Sequence, residues 1–115
     1  MKTFVWATTQ IESWHRWVDA PEQYAYLRNS HRHMFHVKVE LSVDGLDREV
    51  EFIDLKHRVG KWCEDLQSTS EFASGTSCEH MARYVLDAVD EYYGPDRGII
   101  VTVSEDGENG ATVIK

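Results

Sequence analysis

The chain has 115 residues, enough for one domain around a single hydrophobic core (1–115) and too few for two ordinary ones. Hydrophobic residues make up 42% of it and aromatic residues 11%, which excludes disorder over most of the length. A formal net charge of -8 excludes a broad phosphate-tracking surface, so no nucleic-acid partner is expected, although Arg16, Arg28, Arg32 and Lys38 leave room for a phosphorylated small molecule.

Met1 to Thr9 has one lysine and neither a long apolar run nor a small-residue cleavage site, so it does not read as a signal peptide. No stretch approaches the roughly 18 consecutive apolar residues of a membrane helix, and no membrane partner is expected. The expected location is cytoplasmic, where Cys63 and Cys78 stay reduced.

Thr3 to His15 is β-prone with partial alternation and predicts one long or bent strand. Trp17 to Ser30 lacks a period and contains Asp19-Ala20-Pro21, which predicts a loop. From His31 the alternation is strong: Phe35, Val37, Val39, Leu41 and Val43 share one parity, the mark of a half-buried strand. Asp44-Gly45 then suits a tight turn, and Val50 and Phe52 resume an extended pattern, predicting a β-hairpin.

Leu55, Val59, Trp62, Cys63 and Leu66 form one stripe of an amphipathic helix over about Asp54 to Gln67. Thr76-Ser77-Cys78-Glu79 matches a capping box with Thr76 as N-cap and predicts a second helix, which ends at Gly94-Pro95. Gly98 to Ser104, which contains Ile-Ile-Val-Thr-Val, and Ala111 to Ile114, separated by the turn at 106 to 110, predict a final hairpin. The expected fold class is therefore α+β: a four-stranded antiparallel sheet in the order ββααββ, with both helices on one face.

His31 and His33 stand two residues apart on one strand, so both imidazoles leave the same face, a geometry that suits a shared metal ion. A His-x-His pair also arises by chance in a chain with six histidines. The natural third ligand is His15, at the end of the strand expected to pair with the one that begins at His31.

Five segments in order resemble the 6-pyruvoyl-tetrahydropterin synthase and 6-carboxytetrahydropterin synthase family. Ile11-Glu12-Ser13-Trp14-His15-Arg16-Trp17 is similar to its first-strand motif, Phe-x-Ala-Ala-His-Arg-Leu, and His31-Arg32-His33 to its His-Gly-His motif. Glu51-Phe52-Ile53-Asp54-Leu55-Lys56 resembles the opening of its first helix, and Thr76-Ser77-Cys78-Glu79 with Ala82 the start of its second, with one residue added. Val103-Ser104-Glu105 resembles its late strand.

The resemblance implies the tunnelling fold, in which ββααββ subunits join into a multimeric barrel with sites near subunit interfaces. It implies zinc (Zn2+) held by His15, His31 and His33, and a pterin-like substrate such as dihydroneopterin triphosphate bound by Glu105, Thr76 and Ser77. The implied activity is that of a lyase breaking carbon-oxygen or carbon-carbon bonds, on a route to biopterin, folate-like compounds or queuosine-type deazapurines. Two departures bear on activity: the family's proton-abstracting Cys is replaced by Leu27, and its Asp-His pair between the helices is missing from Lys61 to Gly75.

Substitutes for the missing base are sought in Cys78, whose place at a helix N-terminus lowers a thiol pKa, in His80 beside it, and in Glu22 in the loop. Cys63 lies on the apolar stripe and reads as core. His36 and His57 fall off the metal-facing positions. The alternative to an enzyme is a pterin- or purine-binding or structural member that keeps zinc without turnover. A zinc hydrolase on another substrate is a third reading.

Overall fold

A computed structural model describes the backbone of all residues 1–115 and the side chains of all but Ala73 and Ser74. Strands β1 (Thr3–His15) and β2 (His31–Val43) pair antiparallel along their full length, from Thr3 opposite Val43 to His15 opposite His31. Three helices follow: α1 (Phe52–Gln67), the short α2 (Ser70–Gly75) and α3 (Cys78–Tyr93). Strands β3 (Ile99–Glu105) and β4 (Asn109–Ile114) complete an antiparallel sheet in the order β1-β2-β3-β4. No helix among the described residues is long and apolar enough to cross a membrane.

The helices cover one face, as the alternation requires. Phe35, Val37, Val39 and Leu41 of β2 and Ile99, Val101 and Val103 of β3 are almost wholly buried against Leu55, Val59 and Cys63 of α1 and Met81, Val85 and Val89 of α3. Burying each such aliphatic side chain contributes about 1.5–3 kcal/mol, so this shared stripe is what fixes the helix layer to the sheet. The opposite face carries Trp6 and Trp14, both more than half exposed, and the outer edges of β1 and β4 have no strand partner among the described residues.

Four expectations are corrected. The hairpin after Asp44-Gly45 does not form: β2 ends at Val43 and Phe52 opens α1. The Glu49 carboxylate accepts from Asp44 N and Gly45 N at 3.2 and 3.1 Å and pairs with Arg97 at 2.6 Å, so side-chain bonds fold the segment back and Val50 drops into the core. The expected order ββααββ has two helices, and the structure adds a third between them, α2, capped by Thr69 and anchored by buried Phe72. The loop 17–30 contains a 3-10 segment, Glu22–Arg28. The N-cap of α3 is Ser77, which accepts from His80 N at 3.1 Å, and not Thr76, whose hydroxyl donates to Glu71 O at 3.0 Å.

Candidate metal centre

The pairing that builds the hairpin also builds the site. His15 lies directly opposite His31, and His33 follows two residues along the same face, so three imidazoles meet where the helix layer gives way to α2 and the start of α3. Ring centroids stand 4.5 Å (His15 to His31), 5.3 Å (His15 to His33) and 5.0 Å (His31 to His33) apart. One ligating nitrogen of each ring lies within 4.8 Å of the others. Phe35, next on that face, closes the floor with ring contacts to His15 and His33 at 5.2 and 6.0 Å.

Each ring is held from behind through Nδ1. His15 Nδ1 lies 3.2 Å from Thr76 O, His31 Nδ1 2.8 Å from Asn29 O, and His33 Nδ1 2.7 Å from Asp106 Oδ2. Carbonyl and carboxylate oxygens only accept, so in the uncharged form of each ring the hydrogen sits on Nδ1 and the Nε2 lone pair is left for a ligand. This backing is the arrangement of metal-binding histidines, in which the outer partner fixes both tautomer and ring orientation. His15 Nε2 is buried and has no hydrogen-bond partner among the described residues, an orphaned acceptor that a cation satisfies. Burial, only partly offset by the Thr76 bond and the Glu105 charge, pushes the His15 pKa down, which favours the uncharged ring, the form a metal needs.

Asp106 is a positioning residue that sequence reasoning missed. It takes φ 58°, and Gly107 follows at 73°, the positive values that an Asp-Gly turn accommodates. In that conformation Asp106 Oδ1 accepts from Met34 N at 2.9 Å and Asp106 N donates to Met34 O at 2.7 Å, while Oδ2 holds His33. The bonds to His33 and to Met34 N hold the Asp106 pKa below its ordinary value, so the carboxylate is charged where it backs the ring. The signal was present in the Asp-Gly turn itself, whose register carries it to the start of β2.

No family model matches the chain, and neither does any curated protein.

A cavity of about 560 Å³ opens beside the histidines, with His15 and His31 in its wall together with Arg16, Leu27 and the start of α3. Thr76, Ser77 and Glu105 all line it, so the structure brings the expected substrate-binding residues to one space. Glu105 also approaches the rings: Oε1 is 3.2 Å from His15 Nε2 and Oε2 is 3.5 Å from His33 Nε2. Of the four bases named from the sequence, Arg28, Arg32 and Lys38 pair with Glu22, Glu12 and Glu40, whereas Arg16 has no ion pair among the described residues and lines the cavity.

The substitute bases separate. Glu22 lies in the 3-10 segment, exposed and paired with Arg28, and is not in the cavity wall. Cys78 lines the cavity, but burial, followed by the charges of Glu105 and Glu79, pushes its thiol up to about 11, so burial outweighs the helix N-terminus that was expected to lower it. Cys63 is core, with burial pushing its thiol up to about 12. His80 lines the cavity and is exposed. Leu27, at the position of the family's Cys, lies in the wall. Gly75 was not singled out from the sequence: at φ 125° it sits so close to the Arg16 backbone that a Cβ would lie 2.2 Å from Arg16 O, and it sets Thr76 beside His15.

Proposed function

We propose that His15, His31 and His33 hold a zinc ion, and that the adjoining cavity binds a small anionic, pterin-like molecule whose polar groups reach the metal. The observation that carries this is the tautomer geometry: three rings bonded through Nδ1 to acceptors, with buried His15 Nε2 left unpartnered among the described residues. Zinc is favoured because neutral imidazoles are its preferred nitrogen ligands and three protein ligands leave room for a reacting group. When bound, it supplies Lewis acidity that lowers the pKa of a coordinated hydroxyl.

The chain's own residues supply the rest. Arg16, in the cavity wall and without an ion pair among the described residues, is placed to meet a phosphate, and Ser77 and Thr76 border the space a substrate would fill. Glu105, turned toward the cavity, accepts two parallel hydrogen bonds from an amino group and ring N–H, the edge a pterin presents. His80, in the same wall, is a group placed to exchange a proton there. This is the lyase reading implied by the resemblance to the pterin synthases, and with it comes the proposal that the open sheet edges are paired in a multimeric barrel.

Leu27 in the wall and the Cys78 thiol held protonated favour a second reading, a zinc-bearing pterin or purine binder without turnover. Incubating zinc-loaded protein with dihydroneopterin triphosphate separates the two. Release of triphosphate, lost in Arg16→Ala and His33→Ala, is the outcome for a lyase; saturable binding with no release is the outcome for a binder. A protein that takes up neither zinc nor pterin sinks both.

A further inference from the structure

We propose that Glu105 is itself a metal ligand, the fourth donor that closes the three-histidine set in the absence of substrate. This rests on the reading of the histidines as a metal site and adds a residue that the three-ligand reading leaves out. The assignment begins with what lies between the atoms. His15 Nε2 and Glu105 Oε1 are 3.2 Å apart, and His33 Nε2 and Glu105 Oε2 are 3.5 Å apart. The Nδ1 of each ring is already turned to an acceptor, Thr76 O for His15 and Asp106 Oδ2 for His33, which leaves Nε2 as the atom facing Glu105. With the ring hydrogens on Nδ1, each Nε2 turns a lone pair toward a carboxylate oxygen, an arrangement that a cation between them would satisfy.

The spacing suits that cation. With metal–nitrogen and metal–oxygen bonds of about 2.0–2.2 Å, neighbouring donors around a tetrahedral zinc stand roughly 3.3–3.5 Å apart. The two contacts, one from each oxygen of the Glu105 carboxylate, are of that length, so either oxygen lies within reach of an ion held by the rings. The backbone holds the carboxylate in that place: Glu105 ends β3 directly opposite Phe35, on the face shared with His33 and His31, and Asp106 is pinned to Met34 through both of its bonds to that residue's backbone. Neighbouring carboxylates thus treat one imidazole differently, Asp106 fixing His33 from Nδ1 and Glu105 facing Nε2.

Glu105 also lines the cavity, so a ligand that reaches the metal displaces the carboxylate, which is then free to accept N–H groups of that ligand. The site is closed at rest and opens by exchange of one side chain.

The test uses the full chain stripped of metal and reloaded with Co2+, comparing the wild type with Glu105→Ala, Glu105→Gln and His33→Ala. Losing a group that only backs a ligand weakens metal affinity 10–100-fold, so losing a ligand should weaken it by about tenfold or more. Glu105→Ala should do so, and its visible Co2+ spectrum should respond to thiocyanate while that of the wild type does not. Glu105→Gln, which keeps the shape, covers the case in which the alanine variant misfolds, and circular dichroism reports folding. Wild-type affinity and spectrum in folded Glu105 variants, with metal lost only in His33→Ala, overturn the role of Glu105 and leave the three-histidine site standing. Failure of the wild type to bind Co2+ overturns both.

Discussion

Strand β2 carries two stretches of one face with opposite fates. From Phe35 to Val43 the odd positions are apolar and buried under α1 and α3; at His31 and His33, on the same face, they are imidazoles that stay partly accessible. The pleat is the same and the burial differs because the helix layer stops short of the hairpin end, leaving the cavity where more core would otherwise lie. A strand face becomes a site where its cover runs out and its side chains keep donors to spare.

The largest way to break that comparison is at its boundary. Phe35→Ala removes a ring that is fully buried and touches His15, His33 and Phe72, so it should cost roughly 3–5 kcal/mol of stability in urea denaturation, as large-to-small core changes do. His33→Ala, two residues away and partly accessible, should leave metal-free stability within about 1 kcal/mol while abolishing metal uptake measured by elemental analysis. Equal losses of stability in the two variants would erase the distinction between core and site.

Asp106→Gly keeps a residue that tolerates φ 58° and deletes the carboxylate behind His33. Metal affinity should fall about 10–100-fold with the hairpin intact, read by competition with a chelator. An unchanged affinity would show that His33 is oriented by packing alone.

The pH dependence of metal-free protein sharpens the contrast further. Burial holds the His15 pKa below the ordinary 6.5, so between that folded value and 6.5 the unfolded chain binds more protons than the native one. Stability should then fall as pH drops through the window below 6.5 and be level above it. Denaturant midpoints across pH 5–8 in wild type and His15→Gln check this, the variant showing the shallower slope. The smallest effect is expected at Cys78: with the thiol pushed up to about 11, Cys78→Ala should change any turnover by less than about tenfold, or about 1.4 kcal/mol of barrier.

Sequence pattern reached far into the fold because period-two alternation in β2 and the helical stripe of α1 are both set by one buried face. His31 and His33 followed from strand parity, and His15 from expecting β1 to pair with β2, as it does. What was missed depended on side chains choosing between local partners. Asp44-Gly45 carries a hairpin signal, but Glu49 takes the backbone donors that a second strand would have used. Cys78 was read by its helix position, whereas its pKa is decided by depth and by Glu105, which arrives from β3. Loop position suggests Glu22 near the site, yet in the 3-10 segment it is exposed and paired with Arg28.

The site is assembled from two parts of very different sequence range. The three histidines lie on β1 and β2, joined by the connection from 16 to 30, while Asp106 and Glu105 reach them only after the whole helical excursion. Closing a short connection costs less chain entropy than closing a long one, and local pairings form faster than distant ones. On folding, the imidazoles should therefore gather before either carboxylate is in place, and a nascent chain that has not yet made β3 already brings the three rings together.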